Sequence, residues 1–164
     1  MKTIIQSVEK VQIGLGIFFL LVFFLATLLQ ILTRFMGWSV IWTEELANYS
    51  FIWAIFMGAA VMVNRKEHFT FDFLQMKLPR KMKLYLDIFI DVLLLAFNIV
   101  LLVYGVVILS HFWHYTWETL PFLKKGYVWL SLPVMSATML LYSFGHIGRA
   151  FGYLRNLNGK GLDS

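Results

Sequence analysis

The chain has 164 residues, of which 60% are hydrophobic and 14% charged, with a net charge of +5 and a mean hydropathy of +0.74. Soluble domains carry about 25% charged residues, so this composition excludes an ordinary soluble globular fold. The absence of cysteine excludes disulfides, thiolate metal sites and cysteine catalysis.

Four stretches lack any Asp, Glu, Lys or Arg: 11–33, 46–64, 92–117 and 126–148. A helix rises about 1.5 Å per residue, so a hydrocarbon core of about 30 Å takes about 20 residues. The sequence therefore predicts an all-α integral membrane protein. It has four transmembrane helices, short interfacial segments and a single membrane domain over 1–164. The first stretch outruns the roughly 7–15 apolar residues of a signal peptide and reads as a first span.

Helix 1 is predicted over 8–33, rich in Leu, Phe and Ile. The segment 35–46 is too short to span and too apolar for a free loop, and is expected in the interface. Thr43 followed by Glu44 and Glu45 has the form of a cap with acids at the positive end of a helix dipole. Helix 2 is predicted over 44–64, with Ser50, Ala54 and Gly58 recurring every fourth residue. Such a small-residue stripe lets a second helix approach closely, from within the chain or from another subunit. The middle loop, 65–83, mixes bases with Phe69, Phe71 and Phe73, and predicts a short amphipathic surface segment. Helix 3 is predicted over 80–112, an aromatic loop over 113–126, and helix 4 over 127–153 with a kink at Pro133.

The bases divide unevenly. Lys2, Lys10, Arg65, Lys66, Lys77, Arg80, Lys81, Lys83, Arg149, Arg155 and Lys160 fall on the side of the termini, against Arg34, Lys124 and Lys125 on the other. Loops rich in Lys and Arg stay in the cytoplasm, so both termini are predicted inside. Trp38, Trp42, Trp113, Trp117 and Trp129 then fall at outer helix ends as an aromatic belt, with Trp53 inside a span. Cysteines placed at Ser39 and Thr119 should react with a membrane-impermeant thiol reagent on intact cells, and one at Gln75 should not. The reverse pattern would reject this orientation.

Charge inside a membrane is costly and marks function by default. Of the carboxylates, only Asp87 and Asp91 are predicted to enter a span. They share a face with Lys83 at i, i+4, i+8. The plain reading is a structural acidic pair matched to nearby bases; one such stripe near one surface is too little for an ion-coupling pathway. His111, His114 and Glu118 have the spacing of metal ligands on one helical side, but no fourth ligand lies nearby. A haem between His111 and His146 is opposed by their different depths. There is no phosphate-cradling loop, no nucleophile–base pair, and no sign of nucleic-acid binding beyond a basic loop whose role is topological. The chain reads as a non-enzyme without a cofactor, its constant partner the lipid bilayer.

The order of motifs is informative. Trp42-Thr43-Glu44-Glu45 opens helix 2, Phe51 and Trp53 follow, then Gly58-Ala59-Ala60. The helix ends in Arg65-Lys66-Glu67-His68, with Asp72 beyond and Leu78-Pro79 before helix 3. This arrangement resembles the small membrane subunit, DctQ-like, of tripartite ATP-independent periplasmic (TRAP) transporters. The likeness extends over the whole length in helix number and is concentrated in residues 34–79. It implies a multi-pass protein of the bacterial inner membrane that acts as a scaffold. Its partners would be a large membrane subunit, where sodium coupling is expected, and a periplasmic binding protein that captures an organic acid anion such as a dicarboxylate, sialic acid or sugar acid. The partner interface is expected at Trp42, Glu44, Glu45, Ser50, Ala54 and Gly58. The alternatives are a free-standing small four-helix exporter and an accessory or anchor subunit of another complex. The exporters resembled in helix number place a glutamate midway along helix 1, where this chain has only apolar and small residues.

Overall fold

The computed structural model describes residues 2–38, 40–65 and 80–159. They form α1 (Lys2–Phe35), α2 (Trp42–Arg65), α3 (Arg80–Phe112), the single turn α4 (Gly126–Trp129) and α5 (Ser131–Gly159). The segments Thr3–Phe35, Trp42–Arg65, Ile88–Phe112 and Gly126–Gly148 are each long and apolar enough to cross a membrane. Lys10 and Arg65 mark one end of the bundle, the basic end; the opposite, aromatic end carries 36–38, 40–41 and 113–125. The amphipathic segment expected between Arg65 and Arg80 lies outside the described residues.

The helices pack as a row. α1 lies on α2, α2 on α5, and α5 on α3. The flanking helices are almost bare within the chain: 6% of the span of α1 and 11% of that of α3 is buried, against 39% and 50% for α2 and the α4–α5 span. Lipid is as apolar as leucine, so interior positions in a membrane bundle are filled by small and polar residues that gain from contact. The buried set follows this rule. It includes Gln12, Thr43, Ser50, Asp91, Asn98, Ser131, Ser136, Ser143 and His146, while Phe, Leu and Ile crowd the exposed set. An apolar cluster of Ile5, Ala60, Val63, Met135, Met139 and Tyr142 fills the basic half.

Helix ends differ from expectation for local reasons. α1 begins at Lys2 instead of residue 8. Ile5 and Val8 carry its apolar face one turn farther, and Ile5 enters the core against Gly145. α1 is closed by Gly37 just past its end, whose φ of +77° suits a residue without Cβ. Trp38 N donates to Thr33 O at 2.8 Å and Gly37 N to Arg34 O at 3.2 Å, a Schellman closure. Thr43 is not the cap it resembles: α2 already starts at Trp42, and the Thr43 hydroxyl donates to Val40 O at 2.7 Å. The fourth span is two helices. Pro133 sits in the first turn of α5, where its missing N–H costs nothing, and the break falls just before it at Leu130.

Candidate functional site

The partner-facing residues predicted from sequence all lie on α2, with Trp42, Glu44 and Glu45 at the aromatic end and Ser50, Ala54 and Gly58 along its length, and the fold treats each differently. Glu44 and Glu45 both lie in the first turn of α2. Glu45 turns toward the loop 113–125. Its carboxylate accepts from Glu118 N at 3.0 Å, Thr119 N at 2.9 Å, the Thr119 hydroxyl at 2.6 Å and the Tyr49 hydroxyl at 3.1 Å. A carboxylate that takes two backbone amides and two hydroxyls is a clasp for the loop. Glu44 stays exposed and lines two neighbouring cavities, of about 440 and 270 Å³. Trp42 is also exposed.

The loop closes on itself beneath that clasp. Trp117 N donates to Leu123 O at 2.9 Å and Lys125 N to Tyr115 O at 2.7 Å. Trp117 is buried, packs edge-on against Tyr49 at 4.6 Å between centroids, and donates Nε1–H to Lys124 O at 3.2 Å. It is therefore not a member of the aromatic belt; Trp38 and Trp42 are the exposed indoles at this end. Gly126 allows the chain to return, since a Cβ there would stand 2.7 Å from the Trp113 ring. Trp53, within a span, donates its indole N–H to Tyr127 O at 3.0 Å.

The small-residue stripe divides. Ser50 is buried and Ala54 half-buried. The close approach is made by Gly16 of α1, whose absent Cβ would lie 3.6 Å from Met57 Cβ and 3.9 Å from Ala54 O. Gly58 faces outward, with nothing within 4 Å of a Cβ built there. It belongs to an exposed face with Phe51, Ile55 and Met62.

Of the acidic pair, the Asp87 side chain lies outside the described residues. Asp91 is buried, with Oδ1 4.0 Å from Nδ1 of buried His146 on α5. His146 thus joins α3 to α5 far from His111, which packs edge-on against Phe112 and tilted beside Tyr115 at the other end. Glu118 pairs with Lys125 at 3.1 Å. Among the described residues no three His, Asp or Glu side chains gather as a metal site.

Sequence reasoning missed Glu9, which also lies in a spanning helix. It accepts from Asn64 Nδ2 and Arg65 Nε, each at 2.8 Å, and clamps α1 to α2 at the basic end. It also missed Gln12, which donates to the Thr138 hydroxyl at 2.7 Å and accepts from the Tyr142 hydroxyl, tying α1 to α5. A lone Gln near the start of an otherwise apolar stretch was the available signal.

Comparison with known proteins follows the same outline. Residues 23–152 match the family model of the DctQ component of tripartite ATP-independent periplasmic transporters. The chain is 25% identical over 136 residues to the sialic acid TRAP transporter permease protein SiaT of Haemophilus influenzae (strain 86-028NP). That alignment covers 82% of this chain and 22% of the relative, so the chain spans about a fifth of the length of the curated protein it matches.

Proposed function

This chain belongs to the DctQ family of TRAP transporters, and from that premise we propose that it is a scaffold subunit for sodium-driven uptake of an organic acid anion across the inner membrane. The large membrane subunit would carry the substrate and the ions, and a periplasmic binding protein would deliver the anion. The H. influenzae relative is named for sialic acid; a sialic or related sugar acid is accordingly one member of the substrate class proposed here.

One observation carries the reading. Polar groups between the helices link them locally across their seams: Glu9 to Asn64 and Arg65, Gln12 to Thr138 and Tyr142, Asp91 beside His146. Links of that kind fix helices in register and suit a static support. The row has two broad faces, and the exposed α2 face with Phe51, Ile55, Gly58 and Met62 is the one we assign to the large subunit. Trp42 and Glu44 stand at its aromatic end; Glu45, Ser50 and Ala54 would support that interface from within.

The chain alone, reconstituted in liposomes with an inward sodium gradient, should take up no organic acid, and uptake should require both membrane subunits and the binding protein. Robust uptake by this chain alone would overturn the scaffold reading. Gly58→Leu tests the face. A side chain there meets open space within the chain, so the variant should insert normally and lose co-purification with the large subunit. Wild-type co-purification and transport by Gly58→Leu would mean that this face meets lipid.

A further inference from the structure

The larger cavity at the aromatic end shares only Glu44 with the face assigned to the large subunit. It encloses about 440 Å³ between the last turn of α1, the connecting segment and the first turn of α2. That volume is in the range of small-ligand sites. Its lining includes one base, Arg34, and one acid, Glu44, with Gln30, Thr33, Trp38 and Ile41. Arg34 and Glu44 are both exposed, and neither is in an ion pair among the described residues. Arg34 is the one base between the first two spans.

The rim is as telling as the lining. Phe35, Met36, Trp38 and Ile41 are 91%, 65%, 67% and 67% exposed. A cluster of this kind is unfavourable against water and favourable at the headgroup level of a bilayer, where indoles settle. The cavity therefore opens toward lipid, with opposite charges at its walls.

We propose that this groove binds the headgroup of a zwitterionic phospholipid whose amine is primary, a phosphoethanolamine head. Arg34 would hold the phosphate through its planar fork of N–H donors, a geometry suited to two phosphate oxygens. Glu44 would accept from the ammonium. The Thr33 hydroxyl spends its proton on Leu29 O at 2.8 Å, with Gln30 O at 3.2 Å, so toward a ligand in the cavity it can only accept. The acyl chains would run down the apolar rim. The charge pattern is selective. A phosphocholine head has a quaternary nitrogen that cannot donate to Glu44, and a phosphoglycerol head brings no cation to offset it.

The proposal is independent of the transporter reading, and its test uses the full-length chain alone. Native mass spectrometry of the purified chain would be run with phosphatidylethanolamine, phosphatidylglycerol and phosphatidylcholine of matched acyl chains. The ethanolamine lipid should be retained about tenfold over the other two, the factor that one charge-assisted hydrogen bond supplies. Glu44→Gln should reduce that preference to near unity, and Arg34→Gln should weaken all three lipids. Both side chains are exposed, so neither change disturbs packing, and circular dichroism would check this. Equal retention of the three lipids, or a preference that survives Glu44→Gln, overturns the proposal. So does the outcome in which both substitutions leave lipid binding unchanged and abolish co-purification with the large subunit, since the groove then takes protein.

Discussion

Replacing Glu45 with alanine should free the loop 113–125 and leave the four spans inserted. The carboxylate takes two amides and two hydroxyls from Glu118, Thr119 and Tyr49. Hydrogen bonds to a charged group contribute about 1.5–3 kcal/mol when buried, and this clasp is only half-buried. A net loss of about 2 kcal/mol in local stability follows, which is on the order of a 30-fold rise in loop opening. Hydrogen exchange reads that opening directly: the amides of Glu118 and Thr119 should exchange faster, while those of α2 beyond its first turn should not. Glu45→Gln keeps an acceptor and loses the charge, so its effect should be smaller. Unchanged exchange in the alanine variant would mean that the backbone closure at Trp117 and Lys125 holds the loop unaided. The same variants separate clasp from interface. A partner contact at Glu45 would show as lost co-purification in the glutamine variant while the loop stays closed.

The second large effect is expected at the seam of α3 and α5. Asp91 and His146 are both buried and face each other across it. Truncating one removes a polar neighbour from the buried surroundings of the other, at a cost of about 1–3 kcal/mol. Asp91→Leu and His146→Leu should therefore each lower the thermal midpoint of the purified protein. The double variant should recover much of the loss, because two apolar groups can replace a polar pair at little cost. Additive losses in the double variant would show that the two residues act separately.

The spans were legible because the bilayer imposes a length and a polarity that hydropathy reads directly. The bounds of α2 and α3 agree with expectation to within two residues at each end. Pairing between helices was not legible in that way. Apolar residues face lipid as readily as they face another helix, so hydropathy cannot say that α1 and α3 flank the row. The polar exceptions carry that information. Asp91 and Asn98 lie seven residues apart on the buried side of α3, and Gln12 marks the side of α1 that meets α5. Trp117 was read as a headgroup anchor because it follows a span. Its burial depends on a loop clasped by Glu45, a contact between residues more than 70 positions apart.

The way α1 crosses the row has a mechanical consequence. Its described contacts with α5 lie at Ile5 and Gln12, near its start. Glu9 in the same stretch is bound to α2, and α2 lies on α5. Three rods that touch pairwise form a triangle, and a triangle cannot shear unless one of its contacts breaks. Toward the aromatic end α1 meets α2 through aromatic rings, Phe19 stacked on Trp53 and Phe23 tilted beside Phe51, while the polar cross-links there run from α2 to Tyr127 and the loop 113–125. Helix α1 is therefore braced from two sides at its basic end and held by α2 alone at the other. A load applied by a moving neighbour should be absorbed as splay at the aromatic end, while the braced end holds its shape.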